Sequence, residues 1–186
     1  MSKKNFEANR FFLKDTIRQQ IDFSRTGQSQ NLPAPPLQKP CPPDVPRIDL
    51  PNGKDTLMKL GKMQVGEAIA FRESVRQYKA DPLTLEELSA LLWATQGVRC
   101  LVSPESALRS VPSAGARHSF ETYLVVNRVK PLPAGLYRYL PFEEKLAQLT
   151  LDDNIGRKAA AACFGQNFIA ASAATFFWTV IPARME

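Results

Sequence analysis

Histidine is almost absent from this chain of 186 residues, which has only His118. A single imidazole cannot build a histidine-based metal site, and a serine or cysteine nucleophile would have no other histidine as its base. Cysteine is scarce as well. Cys41, Cys100 and Cys163 are far apart, odd in number and without a C-x-x-C pair, so neither a disulfide framework nor a zinc knuckle is indicated. That usage suits a reducing, cytoplasmic setting. Long hydrophobic runs are missing too. The start, MSKKNFEANRFFLKD, has an apolar run only over Phe11 to Leu13, too short for a signal-peptide core. The stretch from Phe168 to Pro182 is broken by Ser172, Thr175 and Thr179. It falls short of the roughly 20 residues that span a bilayer, so no membrane association is expected. G-x-G-x-x-G, the P-loop, G-x-S-x-G and H-E-x-x-H are all absent.

What is present is the composition of a soluble, folded protein. Hydrophobic residues make up 44% and charged residues 23%, enough to bury a core. Lys plus Arg, 24, against Asp plus Glu, 18, leaves +6, which favours anionic partners. Basic and aromatic residues do not interleave as in RNA-binding modules, so nucleic acid is not an expected partner.

The chain changes character twice. Over residues 5–23, Phe6, Leu13, Ile17 and Ile21 recur near helical spacing among Lys4, Arg10, Lys14 and Arg18, which predicts an amphipathic helix. Such a helix docks on its own protein or lies on an anionic surface. Eight of the 15 prolines then fall between Pro33 and Pro51, where missing N–H groups preclude helix and sheet interior. The expectation is a helical arm over 1–30, an extended proline-rich strap over 31–63, and a folded unit over 64–186. The strap either lies over the core or presents PxxP-like turns to SH3 or WW domains.

Within the folded unit a helix is predicted near Gly66 through EAIAFRES. DPLTLEELSALLWATQG reads as the best-marked helix. Thr84 and Glu87 form a capping box, Leu83 and Leu88 can staple across it, and Gly97 suits a left-handed end. Its apolar face is Leu88, Leu91, Leu92 and Thr95. Residues 98–117 lack periodicity and read as a loop. FETYLVV over 120–126 is a central strand, and GLYRYL with LAQLTL reads as a hairpin around PFEEK. Helices over 155–162 and 167–172 precede a buried strand, ATFFWTVI. The fold class is α+β with a mixed or antiparallel sheet flanked by helices.

Two segments suggest ligand chemistry. Arg72, Ser74 and Arg76 in RESVR bring two guanidinium groups and a hydroxyl together, a set that neutralises and satisfies a phosphate monoester. Their plain alternative is surface pairing with Glu73, Asp81 or Glu86. In PSAGARHS, the small residues Ala114, Gly115 and Ala116 would let backbone amides approach a flat ring, or would form an ordinary turn.

Taken in order, RESVRQY, PLTLEELSALLWATQG, PSAGARHSFETYLVV and AGLYRY resemble the nitroreductase-like flavoprotein family. More narrowly, they resemble the branch of FMN-dependent dehydrogenases that oxidise azoline rings during peptide maturation, together with its uncharacterised relatives. FLKDTIRQQIDFSRTGQSQNLPAPPLQKPCP resembles the N-terminal arm of uncharacterised members, so the likeness spans nearly the whole chain. It implies an FMN-dependent oxidoreductase in which NAD(P)H or a substrate passes a hydride to flavin N5, acting on a small-molecule or peptide substrate as a homodimer. By the same likeness Arg72, Ser74 and Arg76 hold the FMN phosphate and ribityl chain. Pro112 and Ser113 pack along the isoalloxazine, Ala116 contacts the flavin, and His118 matches the branch's histidine. No catalytic side chain is implied. Two positions depart from the pattern: Ser119 stands where the branch usually has proline, and Glu73 where many relatives carry a second arginine. The resemblance also implies a further helix, strand and basic segment beyond ATFFWTVIPAR, so the chain reads as lacking the C-terminal part. A non-catalytic binding module that keeps the fold's front half is the other function class.

Overall fold

The computed structural model describes residues 7, 9–11 and 13–185. The chain divides into two units, residues 1–35 together with residue 186, and Pro36–Met185. In the first unit, the expected start of the 5–23 helix lies outside the described residues, and residues 7 and 9–11 are helical. From Asp15 on, the backbone instead forms separate 3-10 turns at Asp15–Gln20 and Phe23–Arg25. Asp22 accepts hydrogen bonds from the Ser24 N–H and Oγ, at 3.1 and 2.6 Å. Local bonding of this kind competes with helix propagation.

The second unit runs β1 (Arg47–Asp49), α1 (Gly53–Leu60), α2 (Val65–Ala70), β2 (Leu83–Thr84), α3 (Leu85–Gln96), β3 (Val98–Ser103) and β4 (Ser106–Arg109). It continues with β5 (Phe120–Val126), β6 (Val129–Lys130), β7 (Gly135–Leu140), β8 (Lys145–Leu151), α4 (Ile155–Ala162), α5 (Phe168–Ala171) and β9 (Ala174–Val180). Five strands form an antiparallel sheet in the order β1-β8-β7-β5-β9. Two small pairs, β2 with β6 and β3 with β4, stand beside it. This is the anticipated α+β class with a helix-flanked sheet.

Side-chain alternation along β5 explains its nearly unbroken apolar run. Leu124 and Val126 pack with Leu88 and Leu92 of α3 and with Tyr137, Tyr139 and Leu146. Val125, pointing the other way, packs with Ala159, Ala160 and Ile169. With both faces covered, neither parity of the strand has a reason to be polar.

The capping box that starts α3 is formed. The Glu87 N–H donates to Thr84 Oγ1 at 3.1 Å, and the Thr84 N–H donates to Glu87 Oε2 at 2.8 Å. Thr84→Ala is expected to cost about 1 kcal/mol in a denaturant titration, because it strips an acceptor from an otherwise orphan helix N–H. No change in midpoint would show that the cap contributes nothing.

Several expectations need correction. The strap predicted over 31–63 is interrupted by β1 and α1. Asn52 caps α1 by accepting from the Asp55 N–H at 2.9 Å, and Gly53 fits where a Cβ would meet Trp93 Cβ and the Ser89 carbonyl. The helix near Gly66 stops at Ala70, so Arg72 and Arg76 do not share a last helical turn. The loop read over 98–117 contains the β3–β4 hairpin. Its register shifts between Val98 and Cys100, and again between Leu101 and Ser103, and so breaks the period-two signal. Gly97 has φ −59°, not a left-handed value. Glycine suits it because a Cβ would strike the Trp93 ring and carbonyl. On α3, Leu91 is 46% exposed while Ser89 and Gln96 are buried. Finally, β9 is a half-buried edge strand and not an interior one, with Trp178 and Val180 nearly half exposed.

Candidate functional site

Within the second unit, a buried polar latch joins the proline strap to the sheet. Arg184 donates from Nε to the Pro36 carbonyl at 2.7 Å, from Nη1 to the His118 carbonyl at 3.1 Å and from Nη2 to Glu121 Oε1 at 2.7 Å. Glu121 also accepts from the Lys39 N–H at 2.8 Å. Arg109 donates to the Leu37 carbonyl at 2.9 Å and to Gln96 Oε1 at 3.1 Å, and Arg138 donates to the Pro40 carbonyl at 3.0 Å. All three arginines and Glu121 are buried. Burial pushes the Arg109 guanidinium down to about 10, with Glu121 acting in the opposite direction. A polyproline strap has few N–H groups to pair but keeps every carbonyl, so buried guanidinium groups are suited to holding it.

The latch ends at the PSAGARHS loop. Pro112 is exposed and Ser113 half-buried, with Ser113 Oγ accepting from the His118 N–H at 3.0 Å. Gly115, Ala116 and His118 have φ of 64°, 54° and 46°. Left-handed backbone at two non-glycine residues costs on the order of 1 kcal/mol or more each, and such positions concentrate at ligand sites. The loop is held against relaxation by the Arg184 bond to the His118 carbonyl and by a 3.0 Å contact from His118 Nε2 to the Ala107 carbonyl.

His118 is buried, and its ring is used against Ala107. Burial first, and then the charge on Arg109, lowers its pKa below the ordinary imidazole value, against the pull of the Ala107 carbonyl. The unfolded chain therefore binds a proton that the folded chain refuses. Stability should fall as pH drops below about 6.5 and level off below the folded pKa. Because the chain has one histidine, His118→Asn should flatten that segment of a stability–pH curve. An unchanged slope would show that other groups cause it.

Arg72, Ser74 and Arg76 sit on a different support. Residues 72–79 have no regular secondary structure, and every residue from 61 to 80 is exposed. The Arg76 guanidinium lies 5.7 Å from the centre of the Phe168 ring on α5, and its Nη1 reaches the Ser74 carbonyl at 3.4 Å. Neither Arg72 nor Arg76 forms an ion pair among the described residues, so the surface pairing with Glu73, Asp81 or Glu86 is not found there. The structure thus gathers Pro112, Ser113, Ala116 and His118 in one loop and presents the arginine segment separately, against α5. Sequence reasoning missed Arg109, Glu121, Arg138 and Arg184. For Glu121 and Arg138 the available signal was a charge within a largely apolar strand, FETYLVV and GLYRYL; Arg109 ends β4 and Arg184 lies in a 3-10 turn after β9, where no such signal exists.

Residues 69–186, which include every candidate residue and most of the latch, match the sequence profile of the nitroreductase family. The chain belongs to the nitroreductase family. A curated Methanocaldococcus jannaschii protein, provisionally named a nitroreductase, is 35% identical over 127 residues, covering 68% of this chain and 58% of that protein. A solved Ralstonia eutropha structure of the same provisional description superposes with a TM-score of 0.56 at 25% identity, over 83% of this chain and 68% of that one. One from Anabaena variabilis gives 0.51 at 24%, over 74% of this chain and 28% of that one. This nitroreductase-family chain therefore spans a little over half the length of its archaeal relative.

The donor set suits a flavin phosphate: two guanidinium groups that form no ion pair among the described residues and a serine hydroxyl on one exposed segment. The loop suits a flat ring, since a Cβ on Gly115 would meet nothing nearer than the Arg117 side chain at 3.8 Å.

Proposed function

We propose that this chain binds FMN and forms part of a flavin-dependent oxidoreductase that takes its electrons from NAD(P)H or from a reduced substrate. The observation carrying the reading is the pair of exposed guanidinium groups, Arg72 and Arg76, which form no ion pair among the described residues, in a nitroreductase-family chain. Arg72 and Arg76 would neutralise the phosphate and Ser74 would donate to it. Pro112, Ser113 and Ala116 would line the ring, and His118 would keep the loop in shape through its own backbone and Ala107. Bound FMN supplies hydride transfer at N5, while the protein supplies position and electrostatics. The second substrate is a small molecule or a peptide. Purified protein should take up FMN, and the flavin absorption should bleach on anaerobic addition of NADH or NADPH. Protein that takes up no FMN contradicts the reading.

A second copy of the chain is the proposed partner. Met63, Val65, Ile69, Phe71, Val75 and Tyr78 are 46–76% exposed along one continuous segment that also carries the arginines. Exposed apolar runs of this kind mark association surfaces. Ile69→Asp with Phe71→Asp should shift the protein from dimer to monomer in sedimentation velocity, and unaltered sedimentation would remove this segment from the interface.

A further inference from the structure

We propose that a hollow beside the β3–β4 hairpin, on elements other than the arginine segment and the PSAGARHS loop, binds a small aromatic anion. The hollow has a volume of about 350 Å³, within the range of small-molecule sites, and is lined by Lys54, Trp93, Val98, Arg99, Cys100 and Leu108. Its floor and walls come from α1, α3 and both strands of the hairpin.

Two observations give the ligand its chemistry. Lys54 and Arg99 form neither an ion pair nor a side-chain hydrogen bond among the described residues, so both cations are free toward a common cavity. Two uncompensated cations on one hollow favour an anion between them, and an arginine fork suits a carboxylate or phosphate. The indole of Trp93 is set in place by glycines on both sides. A Cβ at Gly53 would meet Trp93 Cβ, and a Cβ at Gly97 would meet the ring itself. The ring is half-buried, and with Val98 and Leu108 it gives the hollow an apolar lining against which a planar ligand can stack. Cys100, exposed and free, lines the same hollow and reports occupancy.

The site stands whether or not FMN binds elsewhere, and its test separates the two. The full chain is titrated calorimetrically with 2-naphthoate, 2-naphthyl phosphate and the neutral 2-naphthamide. The anions should bind about tenfold more tightly than the amide, and Lys54→Gln with Arg99→Gln should erase that margin. In a Cys41→Ser, Cys163→Ser background, saturating naphthoate should slow alkylation of Cys100 by iodoacetamide. Saturating FMN should leave naphthoate binding unchanged. Equal affinity for anion and amide, unprotected Cys100, or displacement of naphthoate by FMN would each overturn the assignment.

Discussion

Glu121→Ala is expected to destabilise the protein by about 3–5 kcal/mol, because it leaves the Arg184 guanidinium buried without its counter-charge. Side-chain exposure is 1% at Arg184 and 3% at Glu121, so water cannot replace the lost carboxylate. The Lys39 N–H loses its acceptor in the same step. For a domain of this size that loss corresponds to roughly 6–20 °C in melting temperature. The exposed pair between Lys145 and Asp49, 3.0 Å apart, is the control. Asp49→Ala should cost no more than about 1 kcal/mol, since solvent screens that pair. If Glu121→Ala melts with the control, the latch does not hold the strap.

The latch also shows where sequence reasoning stops. Local signals were enough for α3, because a capping box and apolar spacing lie within one window. They were enough for β5 and for the β7–β8 hairpin, whose apolar runs are bounded by turns and a charged loop. The hairpin of β3 and β4 escaped because its bulges break the alternation that identifies a strand. The strap's destination escaped for a different reason. Its carbonyls are held by side chains 72 to 148 positions away, at Arg109, Arg138 and Arg184, and no pattern within the strap encodes that distance. His118 was legible as a candidate from its motif, but its burial and its bond to Ala107 depend on the fold. For Arg72, Ser74 and Arg76 the composition suggested phosphate chemistry, while the helical turn expected to align them ends at Ala70.

Replacing Arg72 or Arg76 by alanine is expected to weaken FMN binding about ten- to a hundredfold each, the worth of one charge-assisted hydrogen bond to an anion. Folding should be nearly untouched, because both side chains are exposed and neither is in an ion pair among the described residues. That separation of binding from stability is the reverse of the Glu121 result. Thr84→Ala is the matching control, since it should lower stability and leave the flavin affinity of the folded protein unchanged.

The most direct measurement compares dissociation constants for FMN and for riboflavin, which lacks the phosphate, in the native chain and in the Arg72→Ala, Arg76→Ala double variant. The account predicts that the native chain prefers FMN by at least about a hundredfold, and that the double variant binds both flavins equally and weakly. Equal affinity of the native chain for the two flavins, or an FMN preference that survives in the double variant, would contradict it.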